Sequence, residues 1–383
     1  MPPPVQNLDW SRGARWAVTV LFALGICLPG LATIFHVSPQ ASLIEKRDRA
    51  EFPDAKSWSP LLFEEAYNDR FGFRDSLVLG HNWISTFLWG VSPTKSAIIG
   101  KEGWLYYGAS IDDYRGTINF TKKLSDSWRE EFSAKRAFFA SHHITYLVAI
   151  APGKESIYPE YLPGHIQQIR KRSCLDQFSE AMRGPQPFDW IDLRKCLLAG
   201  KSESKGLLFL KTDTHWSDTG ALLAASEIIS HVKSQILDVP AIDPKDYQRV
   251  EKSGVGGDLA EMIGFPDKLC ETSISLTPAG ITPIAVALAE WVGRLHMPAH
   301  CYETSDPARV HRAVMCGDSF GVAITPFLAR QFQRFAYLRK MPDSEDYDAA
   351  LPKIVEQERP DVVIELFTER NLLQIPTKIF KEP

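Results

Sequence analysis

A hydroxyl, an imidazole and a carboxylate are the parts of an acyl-transfer site, and two short motifs in this chain supply one of each. Ser319 stands in "CGDSF", and Asp213 and His215 stand in "KTDTHWSDTGA". A serine hydroxyl attacks a carbonyl poorly until a base takes its proton. An imidazole does this best when a carboxylate holds its Nδ1–H and fixes the tautomer. That makes His215 the base and Asp213 the orienting group. Gly317 lets the chain turn sharply off a strand. A helix starting near Ser319 aims its N–H groups, the Ser319 backbone N–H among them, at a developing oxyanion. The order along the chain is Asp, His, Ser, and no G-x-S-x-G elbow is present. Geometry rather than order defines such a triad. The plainer alternatives are a helix N-cap at Ser319 and a structural Asp213–His215 pair.

Other motifs carry less. Trp216 is either a core side chain or a wall of the site. "APGKES", with Lys154, lacks the first Gly and the Ser or Thr after Lys that a phosphate loop needs. "SGVGGDLAEM" reads as a loop that feeds a helix and lines the site, not as a dinucleotide fingerprint. "HMPAHC" spaces His296 and His300 four apart, but Pro298 between them spoils a helical metal pair. His142 and His143 read as a solvated helix end. No metal and no cofactor is expected.

These residues need a scaffold that gathers them. "ITYLVAIAP", "FDWIDLR", "GLLFLKTDTHW", "RAVMCGDSF", "FAYLRK" and "DVVIELFTER" are short apolar runs. Between some of them lie stretches with helical spacing, such as "LSDSWREEFSAKRAFFASHH", with Ser125 as its expected cap, and "GALLAASEIISHVKS". This alternation predicts an α/β fold with a mostly parallel sheet flanked by helices. "AIAPGKES", "FLKTDTHW", "MCGDSF" and "IELFTER" each place polar residues just past an apolar run. Sites in open α/β sheets form at the carboxyl ends of strands, so four strands are expected to point at one edge.

The 383 residues suffice for one large domain with an appendage, and 44% hydrophobic residues suffice for a full core. A formal charge of −4 and a pI near 6.2 exclude the basic field a nucleic-acid binder requires. "WAVTVLFALGICLPGLATIF", Trp16 to Phe35, is uncharged and long enough to cross a bilayer as a helix. Arg12 and Arg15 precede it as a cytoplasmic flank should. An uncleaved anchor is expected; a cleaved signal and a buried helix broken by Pro29 are the alternatives. The expected division is a cytoplasmic tail over residues 1–15, a transmembrane signal-anchor over 16–35, a linker over 36–60 and the catalytic domain over 61–383. Beyond Cys27, five cysteines remain. Cys270 with Cys301 and Cys174 with Cys196 are the expected bridges, although spacing alone leaves connectivity open.

Taken together, "TDTHWS" and "CGDSF" resemble the alginate O-acetyltransferase AlgJ/AlgX family, SGNH-hydrolase-like proteins in which the Asp-x-His motif comes first. The resemblance runs on through "FEEAYNDRFGFRDSL", "GKEGWLYYG", "APGKESIYPEYLP", "GGDLAEM" and "VVIELFTERNL". It implies an SGNH-hydrolase-like fold in which Ser319 is nucleophile, His215 base and Asp213 orienter. Trp216, Lys154, Glu369 and Arg370 are its expected substrate contacts. Asn371 stands where relatives carry an aromatic. The implied activity moves acetyl through a Ser acyl-enzyme to hydroxyls of an exported polysaccharide. A membrane-bound O-acyltransferase would be the acetyl donor, with the chain in a bacterial inner membrane and its catalytic domain in the periplasm. A polysaccharide acetylesterase with the same triad and a non-catalytic export scaffold are the competing readings.

Overall fold

The computed structural model describes residues 12–35, 49–204, 206–254, 256–288, 292, 298–340 and 345–376. His296 and most of the expected linker, 36–48, lie outside them. Contacts divide the chain into Met1–Thr94 with Glu261–Gly264, and Lys95–Ala260 with Phe265–Pro383. Residues 61–94, expected to open the catalytic domain, therefore group with the N-terminal unit.

In that unit the apolar run forms one helix, α1 (Arg12–Ile34). Its most apolar stretch, Arg12–Thr33, has a mean hydropathy of 1.9 and is only 6% buried. It neither breaks at Pro29 nor serves as a core helix. Two helices follow, α2 (Pro60–Asp69) and α3 (Arg74–Trp83), the latter extended by a π turn, Ile84–Leu88. Gly72 and Phe73, the latter at φ 58, make the break.

The larger unit is built on a seven-stranded sheet in the order β4-β3-β11-β9-β10-β8-β7. Its strands are β3 (Thr145–Ala151), β4 (Asp189–Asp192), β7 (Ile284–Val286), β8 (Ala299–Glu303), β9 (Arg312–Gly317), β10 (Arg334–Arg339) and β11 (Val362–Thr368). β4 through β10 in that order pair in parallel. β8 and β7 add antiparallel strands at one edge, so the sheet is mixed. Two antiparallel ribbons lie outside it: β1 (Ala97–Ile99) with β2 (Leu105–Tyr107), and β5 (Tyr247–Ser253) with β6 (Thr272–Pro278).

Both faces of the sheet are covered, which explains the continuous apolar runs. On β3, Leu147, Ala149 and Ala151 pack into one core cluster while Tyr146, Val148 and Ile150 pack into the other. The first face is covered by α7 (Asp218–Gln235) and α8 (Phe320–Ala329), and the second by α4 (Lys122–Ser141), α5 (Cys174–Ala181) and α9 (Glu345–Glu358). One further helix of this length, α6 (Arg194–Lys201), follows β4. The cap of α4 is Thr121, whose side chain accepts from the Leu124 N–H; Ser125 is a buried residue inside the helix.

Two expectations fail. "GLLFLKTDTHW" is not a strand: its backbone makes only an isolated bridge, Phe209 to Trp216. All six cysteines are free thiols. Cys174 is in the core beneath one sheet face and Cys196 packs against the core of the other; Cys301 is buried while Cys270 is exposed. Such positions cannot bring the sulfurs together.

Candidate active site

Asp213 and His215 ride on a loop that closes on itself. The Leu210 N–H donates to the His215 carbonyl at 3.3 Å, and the Ser217 N–H to the Leu208 carbonyl at 2.9 Å. Buried Leu208, Phe209 and Trp216 anchor its base in the core. Trp216 is 1% exposed and its indole N–H donates to the Phe320 carbonyl, so its main part is packing, although it also touches the cavity described below.

Lys154 turns inward and not toward solvent. Its Nζ donates to the carbonyls of Leu210, Lys211 and Asp213 at 3.0, 3.0 and 2.7 Å, clasping the outgoing arm of the loop. Burial pulls its pKa down to about 7 against the attraction of Asp213 and Glu271. Glu271 holds the same arm from outside by accepting from the Lys211 and Thr212 N–H groups and the Thr212 hydroxyl.

Ser319 follows β9 and opens α8. It occupies the N-cap position, yet its side chain makes no cap hydrogen bond. Asp318 does that work: its Oδ1 accepts from the Phe320 N–H at 3.0 Å. Asp318 Oδ2 accepts from the Thr368 N–H, the Thr368 hydroxyl and Asn371 Nδ2 at 2.8, 2.7 and 2.7 Å. Asn371 thus braces the turn that carries Ser319. Gly317 is needed because a Cβ there would strike the Leu366 carbonyl on β11.

The two motifs meet. His215 Nε2 lies 2.8 Å from Ser319 Oγ, and His215 Nδ1 lies 2.6 Å from Asp213 Oδ1. Burial pushes the Asp213 carboxyl up, but the His215 hydrogen bond and charge and the N–H groups of His215 and Asp258 outweigh it, and the pKa falls to about 2. The arrangement can pass a proton from hydroxyl to imidazole while a fixed anion supports the resulting cation. Ser319 and His215 open into a cavity of about 440 Å3, bordered by Leu210, Ser273, Lys252 and Arg339.

Sequence reasoning passed over Asp258. Its carboxylate accepts from the Thr214 N–H at 2.7 Å and the Thr214 hydroxyl at 2.5 Å, and its Oδ2 lies 3.8 Å from His215 Nδ1. Burial and the Asp213 charge raise its pKa. The preceding Gly257 sits against Asp213, where a Cβ would collide. The "GGD" in its loop was the available signal. Asp213, His215 and Asp258 place three ligand-type atoms within 4.8 Å of one another. The hydrogen bonds above already engage those atoms.

Glu369 and Arg370, expected at the substrate, do not border the cavity. Glu369 is buried behind β3 and β11, where its Oε1 accepts from the Gly153 N–H at 2.6 Å and the Ser156 hydroxyl at 2.9 Å. Arg370 lies over the rings of Tyr107 and Phe320. Of the histidine pair in "HMPAHC", His300 is on β8 with its ring beside Tyr337, and His296 is among the residues not described.

Comparison with known proteins places this fold in a class. Residues 97–285 match a family described as "SGNH hydrolase-like domain, acetyltransferase AlgX". The Bacillus cereus PatB1 structure is similar with a TM-score of 0.51 and 18% identity, over 73% of this chain and 97% of that one. The O-acetyltransferase domain of Pseudomonas putida AlgJ gives 0.50 and 20%, over 75% and 96%. The larger unit is an SGNH-hydrolase-like α/β domain. Among curated proteins, the probable alginate O-acetylase AlgJ of Pseudomonas aeruginosa is 30% identical over 145 residues, 38% of this chain and 35% of the relative. That of Azotobacter vinelandii is 27% identical over 176 residues, 45% and 42%. The match spans less than half the length of these relatives. Within that class the chain is similar to AlgJ/AlgX-like proteins.

Proposed function

We propose that this protein is a polysaccharide O-acetyltransferase that works through an acetyl-Ser319 intermediate. The continuous hydrogen-bonded line from Asp213 through His215 to Ser319 carries the reading. Ser319 Oγ attacks the donor's acetyl carbonyl as its proton passes to His215. The tetrahedral intermediate then expels the donor oxygen, which takes that proton. In the second half, a sugar hydroxyl gives its proton to His215 and attacks the acetyl ester, and Ser319 Oγ leaves with the proton. The Ser319 N–H at the start of α8 faces the developing oxyanion.

The relatives' names speak of alginate; for this chain the acceptor is a hydroxyl-bearing exported polysaccharide. Spanning the bilayer with Arg12 and Arg15 inside, α1 would hold the domain at the periplasmic face of the inner membrane. There a membrane-bound O-acyltransferase can hand acetyl across, and tethering raises the effective concentration of the two.

The test is incubation of the full chain with a chromogenic acetyl ester and oligosaccharide acceptors. Acetylated sugar together with acetyl-Ser319 detected by mass spectrometry supports the proposal. Free acetate without acetylated sugar means an esterase. No turnover, and no acetyl on Ser319, means a scaffold.

A further inference from the structure

α3 and its π turn carry an apolar stripe whose side chains are exposed among the described residues. Phe73, Leu77, Gly80, Ile84 and Phe87 recur at spacings of four, three, four and three, which puts them on one helical face. Leu88, four residues after Ile84, continues it, and Trp89 follows at the end of the π turn. Leu77 is 54% exposed, Leu88 67% and Trp89 65%. Exposed His81 borders this face, and none of its positions is Lys, Arg, Asp or Glu. Arg74 is turned away and pairs with Asp69 and Asp75. A contiguous exposed apolar face of this kind marks a surface that meets something other than water.

The attachment of α3 to α1 identifies what it meets. At about 1.5 Å per residue, the 23 residues of α1 reach roughly 35 Å, enough to cross a hydrocarbon layer of about 30 Å. The turn between α2 and α3 packs on the last turns of that helix. The Gly72 N–H donates to Thr33 Oγ1 at 2.8 Å, and a Cβ on Gly72 would collide with the Pro29 carbonyl and Ala32 Cβ. Pro29 and Ala32 are accordingly buried on a helix that is otherwise almost wholly exposed. The stripe begins one residue later, at the depth where a spanning α1 leaves the acyl chains. Trp83 and Trp89 are the side-chain type enriched at that boundary.

We infer that the exposed face of residues 73–89 lies in the head-group and acyl boundary of the bilayer that holds α1, a second, interfacial attachment to lipid. This rests on the reading of α1 as an anchor. The experiment uses the full chain in vesicles of phosphatidylethanolamine and phosphatidylglycerol at low protein density, with Cys27, Cys196 and Cys270 replaced by Ser. Nitroxide labels are placed one at a time by Leu21→Cys, Leu77→Cys, Leu88→Cys and Leu237→Cys, the last an exposed control in the larger unit. Relaxation by oxygen, which concentrates in lipid, is compared with relaxation by a water-soluble nickel chelate.

Oxygen should dominate at 21, 77 and 88 and nickel at 237, a reversal of the ratio between stripe and control. Oxygen at 21 with nickel at 77 and 88 overturns the inference and leaves the anchor standing. Shielding of 77 and 88 from both reagents means that protein covers the stripe, and also overturns it. Nickel access at 21 removes the anchor reading, and the inference falls with it.

Discussion

Two carboxylates near the same sheet edge, half-buried Asp213 and buried Glu369, are pushed in opposite directions. Asp213 has four polar neighbours to share its charge: the imidazole of His215, two backbone N–H groups and, through its own carbonyl, the Lys154 clasp. Its pKa falls to about 2. Glu369 satisfies one oxygen with Gly153 and Ser156, while its Oε2 is buried with no hydrogen-bond partner among the described residues. Burial, with Asp113 and Glu155 close by, pushes its pKa up to about 8. Glu365, equally buried, shows what a full complement does: Lys135 and Tyr146 overcome the burial penalty and its pKa goes down. Depth alone does not set the charge state; Glu365 and Glu369 have two donors each and differ in the charge beside them, a Lys135 cation against the Asp113 and Glu155 carboxylates. The site at the rim is built from an anion, and the cluster behind it holds a neutral acid near neutral pH.

The sharpest break is at the hydroxyl. Ser319→Ala should abolish acetyl release from an ester, by roughly a thousandfold or more, and leave the melting temperature unchanged. Asp213→Asn keeps the shape of the anionic partner and removes its charge. It should lower kcat by roughly a thousandfold, read by ester turnover.

The same exchange behind the site should do the reverse. A group whose folded pKa is raised contributes stability that is complete below its unfolded value and is lost as pH rises through the folded one. Glu369 therefore loses stability between its ordinary 4.5 and about 8. Glu369→Gln should raise stability near neutral pH by on the order of 3 kcal/mol and flatten the fall in melting temperature toward pH 8. A pH profile of thermal unfolding that matches the parent would break the comparison. Asp213 runs the other way: its contribution is present above its ordinary value near 3.8 and is lost as pH falls toward 2.

Lys154→Met leaves three carbonyls without their donor. It should cost about 2 kcal/mol of stability, measured in urea, and lower kcat through a misplaced Asp213 with KM little changed. The smallest effect is expected at Asp258→Asn, where Thr214 keeps a partner and Asp213 remains. A loss in kcat of roughly tenfold or less sharpens the distinction between the carboxylate bonded to imidazole and the one beside it.

The strands that bury both faces were readable because they leave little choice: "ITYLVAIAP" and "VVIELFTER" are too short for helices and too apolar for loops. "GLLFLKTDTHW" misled for the same reason. Its Leu208 and Phe209 are as buried as strand residues, but its backbone groups bond to Tyr158, Lys154 and its own loop. Nothing local in an apolar run says which partner its amides will find. The antiparallel edge was missed because β7 is a strand of only three residues and β8, "AHCYE", carries no uniform apolar signal. At the site, the reacting trio stood out by residue type. Its supports did not: Lys154 and Glu369 were expected from the family resemblance as substrate contacts, and here both turn inward to hold backbone.

Because Asp213 and His215 share one self-closed loop while Ser319 belongs to the sheet, the trio has a single seam, at the hydroxyl and the imidazole. Gentle warming that lets the loop swing parts that seam first, with each half intact. Turnover would then fade at a temperature where the circular dichroism of the strands and helices has yet to change, and would return on cooling.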